Sequence, residues 1–530
     1  MAVEMKTVAI LIVALTAAFS AMGAESPPVP PFESTADLTP EGKIDQLVFD
    51  RLQALGIQPA YLCSDEVFLR RVYLDVIGTL PSAQEAWQFL RDPDPDKRGA
   101  LVDRLLDRQE FADYWTMKWS DLLRVKAEFP INLWPRAVHA YHRWIRTSIR
   151  ENVPYDQFVG GMLTASGSSF HVPEVNFYRA VQSRDPEAIA ETVALTFMGA
   201  RADKWPEDRL AGMAAFFSQI GYKSTGEWKE EIVFDDSINK VAGAGDAEER
   251  AMFPDGSSSP WPPDKDRREV FADWLITPEN PWFARHIVNR IWYWLLGRGI
   301  VHEPDDIRPD NPARNPELQT CLGEEVVRAH YDLKHVYRLI LNSKVYQLSA
   351  IPGSDHPEAE AEFAYYSIRR LDAEVLIDAL CQITGTTEDY FSRIPEPYSI
   401  IPPGQRSIAL ADGSITSPFL ELFGRPPRDT GFESERNNRP TGDQRLHLLN
   451  SRHIQSKIEN SSKLRALARY SRDPREAASR LYLTILSRLP TEEELATIQE
   501  YSQSGKLKPP ADLLDVAWAL INSPEFLYRH

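Results

Sequence analysis

Apolar residues recur along the chain at helical spacing, and they predict a mainly α-helical protein. From Phe68 to Ile77 they occur at i, i+4 and i+8 in two adjacent rows, which is one face of a helix. Ser82, followed three residues later by Glu85, predicts a capping box at the start of the next helix. Residues 280–296 predict another helix, which opens with Asn and Pro and ends at Gly297.

Few segments depart from the helical pattern. Residues 206–220 continue it, and Glu231 to Phe234 is the one segment that predicts a strand. Residues 386–442 show no sustained period and are dense in proline and glycine. A stretch of this length without regular structure is typical of a functional loop system.

A change in composition predicts two domains. Residues 242–265 are rich in Gly, Ser, Pro and Asp, which is typical of a linker between a first helical domain, 41–241, and a second, 266–530. Residues 71–85 also align without gaps to residues 480–494. We therefore expect that the two domains contain a duplicated helical unit.

The N-terminus has the features of a secretory signal peptide, residues 1–23. Lys6 supplies the positive charge, residues 8–21 supply the apolar stretch, and small residues follow where signal peptidase cleaves. A polar, proline-rich lead, residues 24–40, comes next. We therefore expect a periplasmic, secreted or envelope protein, and no later segment is long and apolar enough to predict a membrane span.

Composition and motifs exclude several classes of function. The formal net charge of the 530-residue chain is 59 − 77 = −18, and no block of Lys or Arg is present, which disfavours nucleic acid and anionic membranes as partners. The cysteines Cys63, Cys321 and Cys381 share no CxxC spacing and cannot form a disulfide framework. The sequence contains no GxSxG, HExxH or P-loop motif, so it assigns no reaction.

Three long motifs carry a resemblance to a known family. The segment from Phe68 to Pro81 resembles the first of two domains of unknown function that accompany planctomycete cytochrome c modules. Residues 280–306 and 423–428 resemble the second domain. The resemblance covers almost the whole chain after the signal peptide, and it implies a family rather than a chemical activity.

The chain departs from many members of that family where they attach haem. After a phrase like residues 195–201, such relatives carry a CxxCH motif, whereas this chain continues with Ala202-Asp-Lys-Trp205. Relatives also often show a C-x-C-E-R phrase where residues 432–436 contain no cysteine. Because covalent haem c needs two thiols and an adjacent histidine, we expect no haem c. The sequence also predicts no other cofactor and no metal.

Charged residues concentrate at two places in the second domain and form a candidate ligand site. One place follows the helix that ends at Gly297, and the other lies in the Pro/Gly-rich region. Such groups can act as acid and base, bind a cation, or bind an anionic glycan through arginine. Structural ion pairs are the alternative at both places. The candidates are His286, Arg290, Tyr293, His302, Asp305, Asp306, Arg308, Asp310, Arg425, Arg428, Glu435 and Arg436.

Two hypotheses about function follow. The favoured one is an exported helical binding or scaffold protein that acts with protein partners in the cell envelope. The other is an extracytoplasmic enzyme that acts on carbohydrate or another polymer through the carboxylate and arginine residues of the second domain. Convergence of the two charged segments on one concave pocket favours the enzyme, and burial of Arg290 and Asp306 in mutual pairs without a cleft disfavours it.

Overall fold

The computed structural model describes most of the chain. The predicted signal peptide and parts of the proline-rich lead and of the linker lie outside the described residues. Among the residues that are described, no helix combines the length and the apolar character needed to cross a membrane. The described residues are 32–237, 250–262, 264–470, 473–503 and 511–530.

The described residues are mainly α-helical, as the periodicity predicts, with 53% helix and 7% strand. Helices α1 to α10 of the first half are Lys43–Leu55, Asp65–Val76, Ala83–Arg91, Lys97–Leu106, Gln109–Leu122, Pro135–Arg150, Tyr155–Thr164, Asn176–Arg179, Pro186–Val193 and Glu207–Ala214. Helices α11 to α23 of the second half are Arg267–Ile276, Phe283–Leu296, Pro316–Arg328, Leu333–Asn342, Ala373–Thr384, Pro418–Leu422, Gly442–Asn450, Arg452–Glu459, Ser462–Tyr470, Pro474–Ile485, Glu492–Gln503, Ala511–Ile521 and Pro524–Leu527.

The strands are short and form small antiparallel sheets. The prediction of a single strand was incomplete, and the prediction of a helix over 206–220 was wrong at its end. Helix α10 stops at Ala214, a 3₁₀ turn follows, and the chain then pairs with the predicted strand, with Tyr222 opposite Val233. Gly221 lies opposite Phe234 in this pair, and the Phe234 ring fills the space that a side chain at position 221 would need. Strands β1 to β9 are Glu33–Ser34, Leu62–Cys63, Gly167–Ser168, Ile220–Ser224, Glu231–Asp235, Arg250–Met252, Ser258–Pro260, Arg369–Arg370 and Tyr528–Arg529.

The helix boundaries reflect local hydrogen bonding that the sequence predicts. The capping box at α3 is confirmed, because Ser82 Oγ accepts from the Glu85 amide at 3.2 Å while the Glu85 carboxylate accepts from the Ser82 amide at 2.8 Å. Helix α12 ends at Gly297, which has φ 83°. Its first residue is Phe283, two residues after Pro281, the predicted first position, because Asn280 caps the turn before it.

The two segments that align in sequence share a local arrangement of charges. Thr491 and Glu494 repeat the capping box of α3 at the start of α21. Arg108 bonds to the capping glutamate Glu85, and Arg488 bonds in the same way to Glu494. The duplication itself stays a prediction, since these contacts are local.

One continuous hydrophobic core includes residues of both halves. Trp115 and Trp119 of α5 pack against Trp294 of α12, with ring centroids 5.2 and 5.9 Å apart. Helix α2 is buried on every side from Val67 to Val76 rather than on one face. Its Arg70 donates to the carbonyl oxygens of Ile485 and Phe526, each at 2.9 Å. The N-terminal helices therefore lie directly against the C-terminal ones.

Candidate functional site

The two predicted charged segments converge in the structure, but they meet as buried ion pairs. Arg290 on α12 bonds to Asp305, and its other nitrogen lies 3.3 Å from Glu433. The Glu433 amide donates to Asp305 at 2.7 Å, and the indole of Trp294 donates to Glu433 at 3.0 Å. The side chains of Arg290 and Asp305 are only 1% and 4% exposed, so these two charges neutralise each other in the interior.

The remaining charges after α12 lie at the surface. Arg308 pairs with Asp306 at 3.2 Å and with Asp310 at 2.8 Å, and both ends of the second pair are largely exposed. His302 is half-buried and stacks on Tyr293, with ring centroids 6.5 Å apart. Burial lowers the pKa of His302, so the ring is neutral at pH 7. These contacts are structural ion pairs, which is the alternative to a ligand site at this place.

His286 faces the core. Its Nε2 lies 3.1 Å from the Thr196 carbonyl oxygen, and its ring packs so close to Gly199 that a Cβ there would lie 2.3 Å from Nδ1. Burial holds the pKa of His286 well below its ordinary value. The residue is 1% exposed and contacts the core rather than the surface, and its role as a ligand contact stays a prediction.

The arginines of the Pro/Gly-rich region belong to a buried ion-pair network, which we define as Asp121, Asp372, Glu374, Arg425, Arg428 and Arg436. Arg436 donates to Glu374 at 2.7 Å and to Asp121 at 2.6 Å, and it lies 3.5 Å from Asp372. Arg428 donates to Asp121 at 2.9 Å. Asp121 belongs to the first half, so the network joins the two halves.

Cations inside and beside this network compensate the burial of its carboxylate Asp372. Burial raises the pKa of Asp372, but Lys118, Arg529 and Arg436 outweigh burial and hold that pKa well below its ordinary value. Arg425 lies 3.5 Å from Glu374 and also donates to backbone carbonyls. The network therefore fixes the loop to the core.

Glu435, the remaining candidate, also makes a structural contact. It accepts from the amides of Asp429 at 3.0 Å and Thr430 at 2.9 Å, and these bonds close a turn. Burial raises the pKa of Glu435, and the two amides only partly offset that effect. None of the twelve predicted residues lines the cleft described next.

A polar cleft of about 440 Å³ lies where the two halves meet. Its wall from the first half includes Thr79, Leu80, Glu85, Arg108 and Glu110, and its wall from the second half includes Asp378, Cys381, Gln382, Glu388, Tyr390 and Arg406. Its volume lies within the range of about 300–1,000 Å³ that is typical of small-molecule sites, and converging polar groups in such sites fix the orientation of a ligand.

Gln382 of α15 joins the two walls. Its Oε1 accepts from the Thr79 hydroxyl and its Nε2 donates to the Leu80 carbonyl oxygen, both at 2.9 Å. Because both ends of this amide are used, the floor of the cleft is pre-formed.

Asp378 is the most perturbed acid of the cleft. Its carboxylate accepts from the amides of Ser407 at 2.7 Å and Ile408 at 3.2 Å, and it lies 3.6 Å from Arg406. Burial raises the pKa of Asp378 to about 6, although Arg406 and the amides act against this shift. The group can therefore gain or lose a proton near neutral pH.

The opposite wall carries an accessible ion-pair group. Arg108 donates to Glu85 at 2.8 Å and to Glu110 at 2.6 Å, and these three side chains are between 26% and 38% exposed. The hydrogen bond from Arg108 lowers the pKa of Glu110, so this carboxylate is ionised at neutral pH. Such groups can accept from or donate to a ligand while they keep their mutual contacts.

A second charged group lies beside the only cysteine of the cleft. Glu388 accepts from His453 at 2.8 Å and lies 3.0 Å from Lys457, which also lies 3.5 Å from the Cys381 sulfur. Burial raises the pKa of Cys381, so the thiol stays protonated at neutral pH. This environment does not activate Cys381 as a nucleophile.

One part of this cleft has a signal in the sequence. Residues Glu374, Asp378, Cys381 and Gln382 recur at i, i+4, i+7 and i+8 of α15, which makes a polar stripe on an otherwise apolar helix. The contribution of Arg108, some 270 residues earlier, carries no such signal, because only the fold brings it to α15.

Two family models match the chain. Residues 43–220 match a family model described as PSCyt2, protein of unknown function (DUF1549), and residues 267–502 match one described as PSD1, protein of unknown function (DUF1553). The chain belongs to the family that pairs these two planctomycete cytochrome-associated domains. In this paired-domain protein each domain supplies one wall of the cleft.

The comparisons assign no activity to the paired-domain protein. Searches of curated proteins and of solved structures gave no match. Within the described parts of the chain, no three His, Cys, Asp or Glu side chains are grouped so that they could hold a metal ion.

Proposed function

We propose that this paired-domain protein is an exported helical binding protein of the cell envelope, without haem c, which binds a polar ligand in the cleft between its domains and acts with partner proteins. The observation that carries the proposal is the cleft itself, whose polar walls come from both domains. The predicted signal peptide supports export, and the absence of a CxxCH motif supports the lack of haem c.

The cleft is a better ligand site than the charged segments that the sequence indicates. A ligand that binds Arg290 or Arg436 has to displace carboxylates that are themselves buried. Removing one partner of such a pair costs about 3–5 kcal/mol. Groups in the cleft wall, such as Arg108 and Glu110, are partly exposed and need no such exchange.

The chemistry of the cleft favours a ligand with many hydrogen-bonding groups and little net charge. Its walls combine carboxylate, guanidinium, amide and hydroxyl groups with one aromatic ring, Tyr390. Four carboxylates line the cleft, those of Glu85, Glu110, Asp378 and Glu388, and each has a cation beside it, because Arg108, Arg406 and Lys457 pair with them. The cleft therefore has no strong excess of positive charge, and its carboxylates disfavour an anionic ligand. Oligosaccharides have this combination of features, and we expect a ligand of one or two sugar rings.

An array of neutral mono- and oligosaccharides tests this proposal. The wild-type protein is expected to bind a subset of sugars, and Arg406→Gln is expected to lose that binding because it removes a donor from the cleft wall. Arg475→Gln is the matched control, since it changes an exposed arginine that pairs with Glu492. Equal binding by Arg406→Gln and the control, or no binding by the wild type, would contradict the proposal.

An extracytoplasmic enzyme acting on carbohydrate or another polymer is the second candidate, now at the cleft. The pKa of Asp378, raised by burial to about 6, suits a general acid or base and favours this candidate. If the protein is an enzyme, sugars that bind are hydrolysed by the wild type, and Asp378→Asn keeps binding while it loses turnover. Binding of a sugar without release of a reducing end would contradict the enzymatic candidate and support the binding function.

A further inference from the structure

Three aromatic rings from distant parts of the chain meet at the protein surface. We define the aromatic platform as Trp134, Trp228 and Tyr398. The ring of Trp134 lies 6.4 Å from that of Trp228 and 5.6 Å from that of Tyr398, measured between centroids. Trp228 is 68% exposed and Tyr398 is 55% exposed. Clustered exposed aromatic rings mark surfaces that bind a partner or ligand.

The backbone holds the platform in place at a cost in conformational energy. Trp134 precedes α6 with φ 71° and ψ 147°, a combination that side chains other than glycine rarely adopt. Lys229, beside Trp228 in the turn between β4 and β5, has φ 62°. Each such residue costs about 1–3 kcal/mol, and such residues cluster at functional sites.

A cation lies close to both indoles. The Lys229 ammonium is 5.6 Å from the centroid of Trp228 and 6.0 Å from that of Trp134. Within the described chain, Lys229 takes part in no ion pair. Arg136 adds a second exposed cation beside the platform, in a loose contact of 3.8 Å with Glu227. The platform therefore combines apolar ring faces with an unneutralised positive charge.

We propose that the aromatic platform binds an anionic polysaccharide, with a sugar ring stacked on Trp228 or Tyr398 and a carboxylate or sulfate group bonded to Lys229. Ring faces of this kind bind the C–H faces of sugars, and an ammonium forms strong charge-assisted bonds to acidic oxygens. The net charge of −18 does not prevent this contact, since charges beyond about 8 Å are screened at physiological salt.

This inference concerns a surface distinct from the cleft, and it names the kind of partner to which the exported protein attaches. It rests on the proposed binding function only in assuming export. The platform residues do not line the cleft, so the two sites can be tested separately.

Titration with dextran sulfate, with unsulfated dextran as the uncharged counterpart, tests the inference. Binding can be followed by tryptophan fluorescence and by calorimetry at 20 and 300 mM salt. We expect the wild type to bind dextran sulfate and not dextran. We expect Trp228→Ala to weaken binding about tenfold, because a central tryptophan commonly contributes that much. Lys229→Gln is expected to weaken binding at low salt and to reduce its salt dependence.

Trp87→Ala is the matched control, because Trp87 is also exposed and also has a guanidinium, that of Arg91, 3.9 Å above its ring. It is expected to bind like the wild type. Unfolding midpoints identify any variant that fails to fold, and Tyr398→Ala then replaces Trp228→Ala. Equal binding of dextran and dextran sulfate, equal losses in Trp87→Ala and Trp228→Ala, or no binding by the wild type would overturn the inference. Cleft variants such as Arg406→Gln are expected to bind dextran sulfate normally.

Discussion

Arg436 is the residue of the buried ion-pair network whose removal should be most damaging. In Arg436→Gln, the carboxylates of Asp121 and Glu374 lose a cation that contacts them at 2.6 and 2.7 Å, and all three side chains are between 0% and 13% exposed. Leaving a buried charge without its partner costs about 3–5 kcal/mol. That loss is large beside a typical unfolding free energy of about 5–15 kcal/mol.

The pH dependence of this loss has a definite sign. Burial acts to raise the pKa of Glu374, but Arg436 and Arg425 lower it below its ordinary value of 4.5. In the wild type, Glu374 therefore contributes stability above pH 4.5 that is lost as the pH falls through its folded pKa. Without Arg436, burial raises that pKa and protonation relieves the penalty. The difference between wild type and Arg436→Gln should be greatest at pH 7 and should shrink below about pH 5.

Urea unfolding, followed by circular dichroism and tryptophan fluorescence, measures this difference. The control is Arg475→Gln, whose surface pair with Glu492 is 43% and 82% exposed and should contribute less than about 1 kcal/mol. If Arg436→Gln loses no more stability than the control at pH 7, the network does not hold the two halves together and the structural reasoning fails.

Three further predictions concern the loop, the cleft and the cofactor. Gly424→Ala should prevent stable folding, because Gly424 has φ 80° and the new Cβ would lie 1.9 Å from the Asn437 carbonyl oxygen. Gly442→Ala is the control, since the space around Gly442 is open, and the yield of folded protein should fall only for Gly424→Ala. For Asp378, burial raises the folded pKa to about 6 from 3.8, so its charge destabilises the protein above pH 6 but not below pH 3.8. Asp378→Asn should therefore gain stability relative to wild type as the pH rises from 4 to 8, by up to about 3 kcal/mol in thermal unfolding, and a flat difference would refute this assignment. Purified protein expressed with a haem c attachment system should show no covalent haem in its absorption spectrum, and a Soret band that persists after denaturation would contradict the sequence interpretation.

The helical fold could be predicted because its signals are local. Ser82 and Glu85 form the predicted capping box, and Gly297 ends α12 where its freedom of φ is needed. The strand Ile220–Ser224 was missed because its partner is the strand Glu231–Asp235, and five residues give little alternation to read. Pairing with another segment, rather than intrinsic preference, decides such short strands.

The candidate site was harder to predict, because burial cannot be read from charge. Arg290 lies off the regular apolar face of its helix and Arg436 lies in a polar loop, so both suit a surface site in sequence, yet the fold places them beside Asp305 and Glu374 in the interior. The cleft needs Arg108 and Asp378 from different domains, and no spacing in one sequence relates them. Its only local signal was the polar stripe on α15.

Thiol labelling tests the central claim, that ligand binds in the cleft between the paired domains. Cys381 lines the cleft, whereas Cys321 is a partly exposed cysteine of α13 outside it, and burial raises the pKa of both thiols. Maleimide labelling at pH 8, quantified by peptide mass spectrometry, is compared with and without the sugar that binds best on the array. We expect that the sugar slows labelling of Cys381 at least fivefold and leaves Cys321 unchanged. Equal labelling of Cys381 with and without a bound sugar would show that the ligand occupies another site.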